Sequence, residues 1–135
     1  MTSLFLDTGY IIALEAANDQ NHKIVSKHWQ TLSKSMQPLV TTSYVFDEIV
    51  TFFNSRNRNV KAVEIGNRLL TSQTIKLVHV DEALFFEGWN LLVQRDDKMY
   101  SLTDCISFSV MKKFDIQTAL ALDKHFVQEG FLTLP

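Results

Sequence analysis

Five short apolar runs recur between longer stretches with helical spacing, and this alternation constrains the fold more than any other feature of the chain. The runs are Leu4-Phe5-Leu6, Leu39-Val40-Thr41-Thr42, Ile75 to Val80, Thr118 to Leu122 and Phe131 to Leu134. Between them lie Tyr10 to Glu15, His22 to Ser33, Tyr44 to Asn54, Val60 to Leu70, Asp81 to Arg95 and a stretch from Ser101 to about Phe114, each with apolar residues at helical positions. Strands alternating with helices predict a three-layer α/β fold, with a mostly parallel central sheet flanked by helices.

Local signals sharpen the boundaries. Pro38 breaks the chain before the second strand, and Gly130 permits a turn into the last. Ser43 is expected to cap the helix after it, and Asp81 the helix after the third strand. Ser101 and Asp104 have the Ser-x-x-Asp spacing of a capping box. The helix they open is apolar on most sides (Cys105, Ile106, Phe108, Val110, Met111), which predicts burial. The chain shows no repeat, low-complexity tract or linker, so residues 1–135 read as a single domain.

Composition narrows the function classes. With 46% hydrophobic and 21% charged residues, the chain can bury a core without disulfides. Its net charge of -2 excludes a globally basic nucleic-acid coat protein, but not an enzyme whose metal ions supply positive charge at a phosphate. The single cysteine, Cys105, cannot form an internal bridge, and nothing reads as a signal peptide or transmembrane helix. A cytoplasmic protein with no membrane association is the expectation.

Four acids then stand out. Asp7 and Asp123 follow strand-like runs, while Glu48 and Asp104 are expected in the first turns of helices. In open parallel sheets, function collects at the carboxyl ends of strands. If all four meet there, uncompensated carboxylates repel one another and are costly to desolvate. Hard cations such as Mg²⁺ or Mn²⁺, which take oxygen ligands, relieve that cost and suit phosphoryl chemistry. Taken singly, each acid has a structural reading: Asp104 completes a capping box, and Asp123 could cap the turn after it. Asp47, about 100° around the helix from Glu48, is expected to be exposed.

Four segments, in order along nearly the whole chain, resemble the PIN-domain ribonucleases, in particular the VapC-type toxins. They are Leu4 to Tyr10 (LFLDTGY), Thr41 to Ile49 (TTSYVFDEI), Tyr100 to Phe108 (YSLTDCISF) and Asp123 to Phe126 (DKHF), with Gly130-Phe131 after the last. The resemblance implies a Mg²⁺- or Mn²⁺-dependent endoribonuclease, in which a metal-activated water hydrolyses RNA. It maps the acidic ligands, as catalytic and metal-binding residues, onto Asp7, Glu48, Asp104 and Asp123. It implies an RNA substrate, a cognate antitoxin and a homodimer; an orphan RNA-processing enzyme would look the same. One position departs: Ala121 stands where the family often carries Thr or Ser, so a hydroxyl that could steady a water or the phosphate is missing. Thr8, beside Asp7, is retained.

Two other readings compete. A phosphatase using Asp7 as nucleophile would want a second acid two residues on, where Gly9 stands. A non-catalytic PIN-like scaffold could bind protein or RNA without cutting. The four histidines lack zinc-site spacing, and His125, close behind Asp123, is expected to pack or face solvent, with a place facing the cleft as the alternative. Arg56, Arg58, Lys61 and Arg68, with Lys112 and Lys113, could contact phosphates or form solvated faces. Phe46, Phe52, Phe53, Phe85 and Phe86 read most simply as core, with a dimer or antitoxin surface as the alternative.

Overall fold

The computed structural model describes residues 2–35 and 37–135. In chain order the elements are β1 (Leu4–Leu6), α1 (Thr8–Glu15), α2 (His22–Leu32), a 3₁₀ turn (Ser33–Ser35), β2 (Leu39–Thr42), α3 (Ser43–Asn54) and α4 (Asn59–Thr71). There follow β3 (Ile75–Val78), α5 (Glu82–Gln94), α6 (Leu102–Lys113), β4 (Thr118–Leu120), α7 (His125–Gln128) and β5 (Leu132–Leu134). The five strands form one sheet in the order β3-β2-β1-β4-β5, and every pair is parallel. The expected sheet is therefore present, and it is wholly rather than mostly parallel.

The order dictates the layers. From β1 the chain steps outward through β2 to β3, then returns to the other side of β1 for β4 and β5. With right-handed crossovers, α1 to α4 cover one face and α5 to α7 the other. The packing agrees: α1 lies against α2 and α3, α3 against α4, α5 against α6, and α6 against α7. Strands covered on both faces read as continuous apolar runs, and all residues of β1 and β2 are buried. Phe5, Tyr10, Phe53, Phe108 and Phe126 are among the largest fully buried side chains; burial of an aromatic or aliphatic side chain of this size contributes roughly 1.5–3 kcal/mol.

Several local expectations shift. Thr42, not Ser43, caps α3: its hydroxyl accepts from the Val45 N–H at 3.1 Å. The Ser43 hydroxyl instead accepts from the Val80 N–H at 2.9 Å, tying the start of α3 to the end of β3. Asp81 caps α5 as expected, and Gly130 takes a positive φ of 96°. Of the phenylalanine set only Phe53 is fully buried; Phe46 and Phe52 are half-buried against the core, Phe85 is half-buried and Phe86 is exposed. Phe86, Trp89 and Val93 form an exposed apolar stripe on α5. On α2, Ile24 faces solvent while Val25 fills the core. Among the described residues, no helix is long and apolar enough to cross a membrane.

The basic residues are mostly committed. Lys61 and Arg68 both pair with Glu15, at 3.1 and 2.9 Å. Arg56 lies over the Phe52 ring. Glu129, whose side chain is almost fully buried, receives both arms of Arg95 at 3.0 Å and lies 3.7 Å from Lys112. Burial alone would raise the Glu129 carboxyl, but the Arg95 guanidinium overrides it and holds it below its ordinary value.

Candidate functional site

Adjacent strands β1 and β4 end side by side at the point where the chain's direction of travel reverses, the switch point at whose carboxyl edge open parallel sheets gather their functional groups. Asp7 is the first residue after β1. Its backbone N–H donates to Leu120 O at 3.1 Å, which locks the end of β1 to β4. Its extended backbone (φ -95°, ψ 159°) starts α1, yet its side chain makes no capping hydrogen bond. The carboxylate is thus buried, at 5% exposure, without the structural employment that an acid at a helix start usually has.

The other three acids arrive from separate elements. Helix α3 begins directly after β2, so its first turns stand at the same edge; Glu48 lies in the second turn, not the first, and is half-buried. The Thr8 hydroxyl donates to Glu48 Oε1 at 2.6 Å, joining α1 to α3. Asp47 is exposed, as its helical angle predicts. Helix α6 feeds β4, so its N-terminus also stands at the carboxyl edge. There the expected capping box forms: Asp104 N–H donates to Ser101 Oγ at 3.0 Å, and Ser101 N–H to Asp104 Oδ2 at 3.1 Å. Asp104 is buried. Asp123 does not follow its strand directly, because β4 stops at Leu120 and Ala121-Leu122 intervene. Its side chain is about half exposed. Ala121 is buried and donates its N–H to Leu134 O, so the position without a hydroxyl belongs to the β4–β5 edge.

The four acids feel one another. Burial pushes the Asp7 carboxyl well above its ordinary value, and the charges of Asp123, Asp104 and Glu48 push it further, against a partial offset from the Thr8 backbone N–H. Asp123 is raised too, by burial and by Asp104, although the His125 N–H works in the opposite direction. The ligand atoms of Asp104, Asp123 and His125 lie within 4.8 Å of one another. Asp7 and Glu48 are not part of that tight group.

His125 takes the less favoured of its expected places, facing the acids rather than packing or facing solvent. Its Nδ1 is 2.9 Å from Asp104 Oδ2, and its backbone N–H donates to Asp123 Oδ1 at 2.9 Å. The signal that could have found it is the spacing Asp-x-His: across a tight turn, such a histidine folds back on the acid two residues before it. An aromatic row backs the ring. Tyr100 meets His125 edge-on with centroids 5.3 Å apart, Phe108 meets Tyr100 at 5.1 Å, and Phe126 joins Phe108 to Phe5 of β1. Burial and the nearby Glu129 carboxylate raise the Tyr100 phenol to about 12. Its hydroxyl is buried without a hydrogen-bond partner among the described residues.

Carboxylates gathered at one sheet edge, Asp7 and Asp104 among them buried, form a donor set suited to a hard, oxygen-seeking divalent ion. Comparison with known proteins agrees with this picture. A family model described as "PIN domain" matches residues 4–132. The chain is 35% identical over 130 residues to the "23S rRNA-specific endonuclease VapC20" of Mycobacterium tuberculosis, covering 96% of this chain and 95% of that protein. Its fold overlays the crystal structure of that Mycobacterium tuberculosis protein, described there as a Sarcin-Ricin loop cleaving toxin, with a TM-score of 0.85, 31% identity and 96% coverage of both chains. More distant structures share the fold: FitAcB from Neisseria gonorrhoeae (TM-score 0.69, 14% identity, 98% and 96% coverage). So does VapBC2 from Rickettsia felis bound to a promoter DNA fragment (TM-score 0.70, 10% identity, 98% of both chains). With its sheet order, its gathered acids and a match spanning nearly its whole length, the chain belongs to the PIN-domain family.

Proposed function

We propose that this chain is an endoribonuclease of the VapC kind, acting as the toxin of a toxin–antitoxin pair, with Asp7, Glu48, Asp104 and Asp123 holding one or two Mg²⁺ or Mn²⁺ ions. The observation that carries this reading is Asp7, a buried carboxylate with no cap to make and three further acids raising its proton affinity. Such a group is costly to keep charged unless a cation joins it. The donors fit: carboxylate oxygens suit a hard divalent ion. Bound there, the ion would activate a water and neutralise developing charge at the phosphate. The protein supplies position. Thr8 fixes Glu48, the capping box fixes Asp104, and half-exposed Asp123 leaves the acids accessible to a phosphodiester from solvent.

The near-complete alignment with a protein named for 23S rRNA cleavage supports RNA as the substrate and makes large-subunit rRNA the first target to try. The exposed Phe86, Trp89 and Val93 stripe is the kind of surface that a protein partner covers, in keeping with an antitoxin or a second copy. The test is incubation with ribosomes and with naked 23S rRNA, with Mg²⁺ or Mn²⁺ and with chelator. Discrete fragments are expected, abolished by chelation and reduced at least about hundredfold in Asp7→Asn, since metal ligation supplies several kcal/mol at the transition state. A folded Asp7→Asn protein that cuts at the wild-type rate refutes the proposal. Cleavage unaffected by chelator removes the metal from it.

A further inference from the structure

We propose that His125 is a positioning residue: it clamps Asp104 and Asp123 together so that each keeps one oxygen free for a cation. The inference rests on the metal reading above and deepens it. Asp104 Oδ2 already accepts the Ser101 backbone N–H at 3.1 Å, and His125 Nδ1 meets the same oxygen at 2.9 Å. An ionised carboxylate only accepts, so Nδ1 carries the proton and donates it. Oδ2 is then doubly occupied, and Oδ1 is the oxygen left for a cation. The backbone N–H of the same residue holds Asp123 Oδ1 at 2.9 Å, which leaves Asp123 Oδ2 free, 3.9 Å from Nδ1. One residue thus grips two acids through two different N–H groups. Thr8 does the same for Glu48 by occupying Oε1.

The ring cannot easily turn away. Tyr100 lies edge-on against it, and Tyr100 is itself wedged against Phe108. The consequence is single-oxygen ligation from three of the four acids. That arrangement suits the strict octahedral shell of a small divalent ion and disfavours the two-oxygen grip that calcium accepts. Hydrogen-bond partners that orient ligands in this way typically govern metal affinity by about ten- to hundredfold.

The experiment measures Mn²⁺ dissociation constants for the full chain by the electron paramagnetic resonance signal of free Mn²⁺, so it reads binding rather than cleavage. Wild type, His125→Asn and His125→Leu are compared, with circular dichroism melts of the metal-free proteins as the folding control. Asparagine places an N–H on the atom equivalent to Nδ1 and is expected to bind within threefold of wild type. Leucine fills the space without a donor and is expected to bind about ten- to hundredfold more weakly. If His125→Leu binds like wild type, the positioning role is overturned while the metal centre stands. If His125→Asn is folded yet as weak as His125→Leu, the ring is a ligand in its own right and the proposal is again overturned. Failure of the wild type itself to bind Mn²⁺ overturns the metal reading and this inference with it.

Discussion

The same substitution, glycine to alanine, is expected to have opposite effects at two helical positions. Gly88 sits where α5 crosses α6. A Cβ built there would lie 2.4 Å from Ile106 Cγ1 and 3.2 Å from the Ile106 Cα and N. The side-chain overlap could be relieved by rotation, but the two backbone atoms stay in place, and Ile106 is fully buried. Relief therefore requires α6 to retreat. Overpacking of this kind costs up to about 3 kcal/mol, alanine's better helix propensity returns about 1 kcal/mol, and Gly88→Ala should lose about 2 kcal/mol net. For a chain of this length that lowers the melting temperature by about 8 °C. Gly9, in the first turn of α1, is the control: a Cβ there meets nothing within 4 Å. Gly9→Ala should gain up to about 1 kcal/mol. Urea titrations of the three proteins measure both changes as shifts in midpoint at constant slope. A Gly88→Ala protein as stable as wild type would show that the α5–α6 contact is looser than its geometry and refute the reasoning. A gain at both positions would reduce the effect to propensity alone.

Three further outcomes are expected. Millimolar Mn²⁺ should raise the melting temperature, because an ion bound only by the folded chain adds about 2.7 kcal/mol at a hundred times its dissociation constant; an unchanged curve counts against the metal centre. In metal-free protein the folded Asp7 carboxyl holds its proton to higher pH than the unfolded one. Stability from that group is therefore full at acid pH and is lost as the pH rises from the ordinary carboxylate range through the elevated value. Asp7→Asn should flatten that slope in pH-dependent urea titrations, and an unaltered slope would refute the assignment. Burial raises the Cys105 thiol to about 11, so at pH 8 only about one molecule in a thousand is ionised. Thiol reagents should label it only after denaturation, and rapid labelling of the native protein would contradict its placement.

Much of this structure was legible in the chain because its strands are buried on both faces, and such strands announce themselves as apolar runs. Leu39 to Thr42 emerges with the bounds its residues suggest. The runs at residues 75–80 and 118–122 end sooner than their composition implies, because pairing with the neighbouring strand, not hydropathy, terminates a strand. The choice between Thr42 and Ser43 as helix cap has the same origin. Either hydroxyl is chemically able, and the pairing of Thr42 with Val78 decides where strand ends and helix begins. The gathering of the four acids followed from parallel topology, which puts strand ends and helix starts at one edge. His125 did not follow, since its role depends on a turn geometry and on the Tyr100 wall, which come from distant parts of the chain. The exposure of Phe86 was equally hidden, because a helix built mostly of apolar residues does not declare which side faces water.

The central position of β1 has a consequence for how the protein comes into being. Its first strand is completed on one side by residues near 40 and on the other only by residues 119 and 120, and the acids span positions 7 to 123. While the ribosome is still making it, the nascent chain holds Asp7 and Glu48 but has nowhere to dock them against the late acids. The middle of the sheet, and with it the full set of acids, is complete only once residues 119–123 have emerged and slotted in beside residues 4–7.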